Sequence, residues 1–162
     1  MKILLATDGS DHSKAAIEEL ARMPFPAGTN VHIIVAFENT PLITSAPAPM
    51  GGLAGGYQDT GEIVKMLSEN TLQDAAELLK KKNPELSIST AAINGSPKQV
   101  ILEEAEKLGA DLIVVGSHGR GTIGRFLLGS VSQAIALHAQ SSVLIVRNKM
   151  DKKKVDARLI KH

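Results

Sequence analysis

Short apolar runs alternate along the chain with longer segments in which apolar residues recur every three or four positions. The first pattern is typical of strands that are covered on both faces, and the second is typical of amphipathic helices. The alternation therefore predicts βαβ units around a parallel sheet. Lys2–Ala6 is nearly all apolar and is the expected central strand. The other predicted strands are Val31–Phe37, Leu86–Ile93, Asp111–Val115 and Ser142–Val146.

Four helices are predicted between these strands. Their expected spans are from about residue 11 to the prolines at 24 and 26, then 61–82, 97–108, and from 129 to about 138. The third helix has the clearest ends, because Ser96 is a suitable N-cap, Pro97 fits the first helical position, and Gly109 fits a left-handed C-cap.

Composition narrows the functional classes. The chain has 162 residues, 43% of them hydrophobic, which is enough for one globular core. Its net charge of +1 gives no reason to expect a nucleic acid or a membrane surface as partner, and no apolar run is long enough to cross a bilayer. The lack of cysteine fits a reducing compartment, so a cytoplasmic location is expected. We expect a single domain over residues 1–147, interrupted by a flexible Pro- and Gly-rich loop at 38–60 and followed by a basic tail at 148–162.

Glycine is concentrated in one stretch, which reads GSHGRGTIGRFLLGSVS from Gly116 to Ser132. Glycine lets backbone N–H groups approach an anion closely, and the start of the helix that follows adds its positive dipole end. The stretch therefore predicts a phosphate-binding loop.

Two common phosphate motifs nearly fit this stretch. Gly119 to Gly124 spells GxGxxG, but it follows the fourth predicted strand instead of the first, and no acid lies about 20 residues further on. Gly124 to Gly129 has the glycine spacing of a P-loop, but Ser130 stands where the P-loop lysine belongs. Both interpretations are excluded, and the glycines at 121 and 124 are expected only to form turns.

A third spacing fits without adjustment: Gly116-x2-Gly119-x9-Gly129-Ser130. With this motif the chain resembles the ATP-binding branch of the universal stress protein family, and the resemblance extends over residues 2–147. KILLATDGS, SPKQVILEEAEKLGADLIVVGSHGRG and SSVLIVR all resemble the family pattern. The resemblance implies an α/β fold with an open five-stranded parallel sheet in the order 3-2-1-4-5, helices on both faces, and a ligand site where the strand order reverses.

The resemblance also implies particular binding residues. Ala6, Thr7 and Asp8 are expected to frame the base and to contact the nucleoside, although Asp8 could instead hold an Asx turn. Ala36 is expected to pair with adenine through its main chain. The remaining implied residues lie under the ribose and around the phosphates: Val115, Gly116, Gly119, Gly129, Ser130, Val131 and Ser132.

Three further side chains of the loop could approach the ligand. Arg120 and Arg125 are its only cations. At least one of them is expected near the phosphates, and Arg120 is included among the predicted binding residues, which makes twelve. His118 could touch the ligand, but no acid or Ser-His-Asp arrangement marks it as catalytic. No catalytic residue and no metal ligand is predicted.

The sequence thus favours a regulatory protein that binds ATP, with or without Mg²⁺, or else ADP or AMP, and hydrolyses it slowly at most. The alternatives are an adenylyl-transferring or ATP-hydrolysing enzyme of the same architecture, and a dimeric scaffold without ligand. The first-strand turn ATDGSDHS lacks the paired glycines of the SGGxDS loop in such enzymes. A homodimer is expected through the apolar fifth strand, which the family pairs across a two-fold axis, at residues Val143, Leu144, Ile145 and Val146.

Overall fold

The computed structural model of the chain describes residues 1–38, 60–119 and 128–148. Strands and helices alternate through them without exception. The strands are β1 (Lys2–Ala6), β2 (Asn30–Phe37), β3 (Ser87–Asn94), β4 (Leu112–Gly116) and β5 (Ser142–Val146). The helices are α1 (Asp11–Leu20), α2 (Thr60–Lys82), α3 (Pro97–Leu108) and α4 (Ser130–His138). The expected loop and tail fall almost entirely outside the described residues.

The strands form one sheet in the order β3-β2-β1-β4-β5, and every neighbouring pair is parallel. This confirms the predicted fold class. β1 lies at the centre, where Ile3 pairs with Val31 of β2 on one side and with Leu112 of β4 on the other. The strand order reverses between β1 and β4, so their carboxyl ends form a topological switch point.

Each face of the sheet carries its own core. On one face, α1 and α2 pack against β1 and β2 through residues that include Ile3, Leu20 and Leu79, all fully buried. On the other face, α3 and α4 pack against the sheet around Leu4 and Ile135. Successive residues of β1 therefore point into opposite cores, which explains why a strand at this position has to be apolar throughout.

Several element ends differ from the predicted ones by a residue or more. β4 begins after Asp111, whose carboxylate accepts a hydrogen bond of 2.7 Å from the backbone N–H of Lys2. β3 begins after Leu86, whose side chain is buried in the first core. α1 ends at Leu20, well before Pro24, because the chain tightens there into a turn in which Arg22 N–H donates to the Glu19 carbonyl.

The ends of α3 lie where the sequence predicts them. Gly109 caps the helix in the left-handed conformation, at φ +61°. Ser96 is the N-cap residue, but its hydroxyl makes no capping hydrogen bond. α1 has the fuller cap, since the Ser10 side chain accepts a hydrogen bond from Ser13 N–H.

α2 is amphipathic mainly in its second half. Leu72 and Leu79 are buried there, whereas Ile63 and Leu67 of the first half are 39% and 53% exposed. Within the described part of the chain, no helix is long and apolar enough to cross a membrane.

Candidate functional site

A cavity of about 240 Å³ opens at the switch point, beyond the carboxyl ends of β1 and β4. Eleven of the twelve predicted binding residues line it, and the twelfth, Arg120, lies outside the described residues, as does Arg125. The eleven are Ala6, Thr7, Asp8, Ala36, Val115, Gly116, Gly119, Gly129, Ser130, Val131 and Ser132. Four more residues complete the lining: Ser13, Pro97, Ile101 and His118.

The turn from β1 into α1 is fixed by side-chain hydrogen bonds. One carboxylate oxygen of Asp8, Oδ1, accepts a bond of 3.0 Å from Ser10 N–H, and Gly9 between them has φ +77°. The buried Thr7 hydroxyl donates to Ser13 Oγ at 3.0 Å. Asp8 therefore forms the Asx turn that the sequence offered as an alternative to binding, and it lines the cavity as well.

Two motif glycines leave room for protein atoms. A β-carbon on Gly116 would lie 2.7 Å from the His12 carbonyl carbon and 2.8 Å from Ser13 N, so only glycine lets α1 pass this close to β4. A β-carbon on Gly119 would lie 2.9 Å from Asp8 Oδ2. The sequence attributed these glycines to approach by a phosphate, whereas the atoms that fill the space belong to α1 and to Asp8.

The start of α4 faces the cavity. Gly129 is its N-cap, and the first turn carries Ser130, Val131 and Ser132. Backbone N–H groups in a first helical turn have no intrahelical acceptor, and the helix dipole adds partial positive charge at the same place. This end of α4 can therefore receive an anion.

The two serines of that turn differ in environment. Ser130 is exposed, so its hydroxyl is available to a ligand. Ser132 is 2% exposed, and its hydroxyl proton lies between the carbonyl oxygens of Ser117, at 2.9 Å, and Gly129, at 3.0 Å. The Ser132 hydroxyl thus ties α4 to the loop after β4, and only its backbone N–H remains to face a phosphate.

A cluster of two imidazoles and a hydroxyl lies beside this turn. Ser117 Oγ is 3.3 Å from Nδ1 of His12 and 3.1 Å from Nδ1 of His118, and the two ring centres are 5.0 Å apart. Ser117 is completely buried. In the described part of the molecule, Nε2 of His118 is buried without a hydrogen-bond partner.

The sequence did not identify Ser13, Pro97 or Ile101 as part of the site. Pro97 is the first residue of α3 and Ile101 lies one helical turn later, and together they add an apolar wall to the cavity. α3 follows β3 directly, so its start lies at the same edge of the sheet as the predicted site. The helical spacing of these two residues was therefore a usable signal.

Among the lining residues that the structure describes, the ionisable side chains are those of Asp8 and His118. Among the residues that the structure describes, no group of three or more histidine, aspartate or glutamate side chains could hold a metal ion. The positive potential that an anion needs comes, within these residues, from helix dipoles and backbone N–H groups.

Comparison with known proteins identifies the family. A model of the universal stress protein family matches residues 1–147. The chain belongs to this family. A universal stress protein of Methanocaldococcus jannaschii is 32% identical over 148 residues, which cover 90% of this chain and 81% of that protein. A universal stress protein of Bacillus subtilis is 31% identical over 149 residues, which cover 90% of this chain and 98% of that protein.

Solved structures of universal stress proteins share the fold. One, determined in complex with cAMP, is 26% identical, with a TM-score of 0.64 over 91% of this chain and 97% of that chain. Another, from Arabidopsis thaliana with AMP bound, is 17% identical and superposes with a TM-score of 0.66 over 94% of each chain. The second similarity concerns the fold alone.

Proposed function

We propose that this universal stress protein is a regulatory nucleotide-binding protein whose ligand is ATP, or another adenine nucleotide, bound in the cavity at the switch point. The observation that carries the proposal is the convergence of the β1 turn, the glycines after β4 and the first turn of α4 on one cavity. These segments are far apart in the sequence, and together they offer different chemistry to the different parts of a nucleotide.

The apolar side of the cavity suits a purine base. A flat aromatic ring gains most from burial against aliphatic side chains, while the main chain at a strand end can hydrogen-bond its edge. The residues on this side are Ala6, Ala36, Pro97, Ile101 and Val115.

The polar side suits the ribose and the phosphates. Asp8 has a carboxylate at the end of β1, which is a good acceptor for ribose hydroxyls. The N–H groups of Ser130 to Ser132 and the Ser130 hydroxyl can donate to phosphate oxygens at the start of α4. Each charge-assisted hydrogen bond contributes about 1.5–3 kcal/mol, so several of them, together with burial of the base, can offset the cost of association and hold a nucleotide.

The related structure in complex with cAMP supports an adenine nucleotide as the ligand class. We place this chain in the ATP-binding branch on its Gly116-x2-Gly119-x9-Gly129-Ser130 motif. Arg120 is proposed to add a cation near the phosphates. Binding itself is the proposed output, and any hydrolysis of ATP should be slow.

Two further properties belong to the proposal. The protein is proposed to act in the stress response as a homodimer through β5, which lies at the edge of the sheet next to β4. It is proposed to do so in the cytoplasm, which fractionation of cells that produce the protein would test.

The deciding experiment is nucleotide analysis of protein purified without added ligand, followed by calorimetric titration with ATP, ADP, AMP and cAMP. We expect at least one adenine nucleotide to bind with an affinity well below millimolar. Failure of all four to bind would overturn the proposal, and turnover on the order of 1 per second or faster would favour the enzyme alternative.

A matched pair of variants shows whether the start of α4 holds the phosphates. Gly129 has backbone angles that suit an Asp or Asn N-cap (φ −62°, ψ 156°), so Gly129→Asp and Gly129→Asn introduce side chains of the same size at one position. A β-carbon there would lie 3.2 Å from His118 Cα, so both variants cause similar crowding. Only the aspartate adds a negative charge, and we expect it to weaken ATP binding on the order of 100-fold more than asparagine does.

A further inference from the structure

The cluster of His12, Ser117 and His118 connects two helix-bearing loops of the site. His12 lies in the first turn of α1, and Ser117 and His118 follow β4 directly. The His118 backbone packs against Gly129, the N-cap of α4, and the His118 side chain lines the cavity. The cluster is therefore next to the place where phosphates are proposed to bind.

The number of protons in this cluster follows from its two hydrogen bonds. Each contact between Ser117 Oγ and an Nδ1 atom needs one proton, and the serine hydroxyl supplies only one of the two. The other must come from an imidazole. When both rings are neutral, one of them carries its proton on Nδ1 and has a bare Nε2, while the other has its proton on Nε2.

One additional proton enters this arrangement without breaking either bond. It binds to the unprotonated Nε2 of the ring whose Nδ1 already carries a proton. That ring becomes an imidazolium, and the serine hydroxyl still bridges the two rings. A second additional proton would place N–H groups on both Nδ1 atoms and two positive charges 5.0 Å apart. The serine hydroxyl would then lose its acceptor, and the charges would repel each other. The cluster therefore has room for a single extra proton.

Other charged groups around the cluster come from several elements. Asp8 lies on the turn before α1, and Asp11 is exposed in the first turn of that helix. Arg147 follows Val146, whose carbonyl accepts a hydrogen bond of 2.8 Å from Ser117 N–H. The starts of α1 and α4 both adjoin the cluster, so their helix dipoles place partial positive charge beside it. A bound anion adds negative charge at the same place.

We propose that the His12–Ser117–His118 cluster takes up one shared proton when the phosphate of a nucleotide binds, and that nucleotide affinity therefore increases as the pH falls from about 8 to about 6. This inference rests on the nucleotide site proposed above. His118 carries the charge nearest to the ligand, and the buried Nε2, which lacks a partner in the described residues, gains an acceptor in a phosphate oxygen. His12 acts as a positioning residue through Ser117.

Calorimetric titration with cAMP and AMP at about pH 6, 7 and 8, in buffers of different ionisation enthalpy, measures the proton uptake directly. cAMP has a phosphodiester whose charge stays constant over this range, so any proton taken up comes from the protein. We expect uptake of a fraction of one proton per ligand near neutral pH, and an affinity about 5-fold higher at the acidic end than at the alkaline end.

Two variants and a control assign the effect. The doubly substituted His12→Gln/His118→Gln protein is expected to bind cAMP without proton uptake, and His118→Gln alone is expected to lose most of the uptake. His32 lies near the start of β2, whereas the cavity lies beyond the carboxyl ends of the strands, and its Nδ1 is hydrogen-bonded to Ser89 Oγ. His32→Gln is therefore expected to retain the full pH dependence of binding. Unchanged proton uptake in the double variant would overturn the inference.

NMR titration of the imidazole resonances separates failure of this inference from failure of the proposed function. The resonances of both His12 and His118 are expected to shift when cAMP binds, because Ser117 Oγ bridges the two rings. Imidazole resonances of these two residues that bound cAMP leaves unchanged would overturn the proton-sharing cluster. Absence of nucleotide binding at every pH, by contrast, would overturn the proposed function whatever the histidines do.

Discussion

The carboxylate of Asp8 occupies the space in which a β-carbon of Gly119 would lie, with Oδ2 at 2.9 Å from that position. The two residues come from the ends of β1 and β4, the strands between which the sheet order reverses. The second glycine of the motif thus shapes the position of the acid that is proposed to bind ribose.

This contact predicts that substitutions of Asp8 and Gly119 have non-additive effects on nucleotide affinity. Gly119→Ala should push the Asp8 side chain aside and lower nucleotide affinity about 10-fold, because a charge-assisted hydrogen bond is lost or bent. Asp8→Ala should lower it by a similar factor. In the Asp8→Ala background, Gly119→Ala should have little further effect, since the atom it would displace is gone. Calorimetric titration of all four proteins measures the coupling, and strictly additive losses would refute it.

Gly116 predicts an effect on stability. Its missing β-carbon makes room for the backbone of His12 and Ser13, which cannot move without shifting α1. Gly116→Ala should lower the free energy of unfolding by about 1–3 kcal/mol in urea titrations. Gly119→Ala is the matched control, because its neighbour is a side-chain end that can move aside, and it should cost less than about 0.5 kcal/mol. Equal stability of the two variants would show that α1 does not pack on Gly116 this closely.

The elements could be predicted because their signals are local. The apolar run of β1 and the Ser96, Pro97 and Gly109 signals of α3 lie within a few residues of the structures they form. The cavity-lining residues were named from the family resemblance, and the parallel strands β1 and β4 explain why several of them meet, because their carboxyl ends lie at the same edge of the sheet.

The remaining features depend on packing between distant segments. The contact of His12 with Ser117 joins residues 105 positions apart, and it exists because α1 crosses β4 over Gly116. The spacing of Pro97 and Ile101 places them on one face of α3, but the direction in which that face turns depends on how α3 packs on the sheet. The contact of His12 with Ser117 cannot be derived from spacing along the chain, and the role of Gly116 was attributed to the ligand for the same reason.

Substitutions of the two serines at the start of α4 are expected to affect different properties, stability for Ser132 and nucleotide affinity for Ser130. Ser132→Ala removes a buried hydroxyl that donates to the carbonyls of Ser117 and Gly129, so it should lower the free energy of unfolding by about 1 kcal/mol. Ser130→Ala removes an exposed hydroxyl and should leave stability unchanged within about 0.5 kcal/mol while lowering ATP affinity about 5- to 10-fold. Urea unfolding and calorimetric titration measure both quantities. If Ser132→Ala lowered ATP affinity without lowering stability, and Ser130→Ala left affinity unchanged, the hydroxyl that contacts the phosphate would belong to Ser132 and the prediction would be wrong.

The edge position of β5 predicts a homodimer. Val143 and Ile145 pack against the core on the α3 and α4 side, and Leu144 and Val146 pack against the other core, so the strand is apolar toward both layers. In the described part of the chain, β4 is its only strand partner, and an uncovered apolar edge tends to pair with another chain. Sedimentation velocity at micromolar concentration should therefore give twice the mass of the chain.

A charged residue on this edge should separate the protomers. Ile145→Lys is expected to separate the protomers, because lysine on an edge strand opposes pairing with a second strand. Ile145 is only half-buried at the margin of the core, so the fold is expected to tolerate the change with some loss of stability. Met66→Lys is the control, since Met66 is 56% exposed on α2, away from β5, and its replacement should leave the dimer intact. Circular dichroism confirms that both variants are folded. A monomeric wild-type protein would overturn the predicted dimer. A dimer that Met66→Lys disrupts and Ile145→Lys does not would show that the interface lies away from β5.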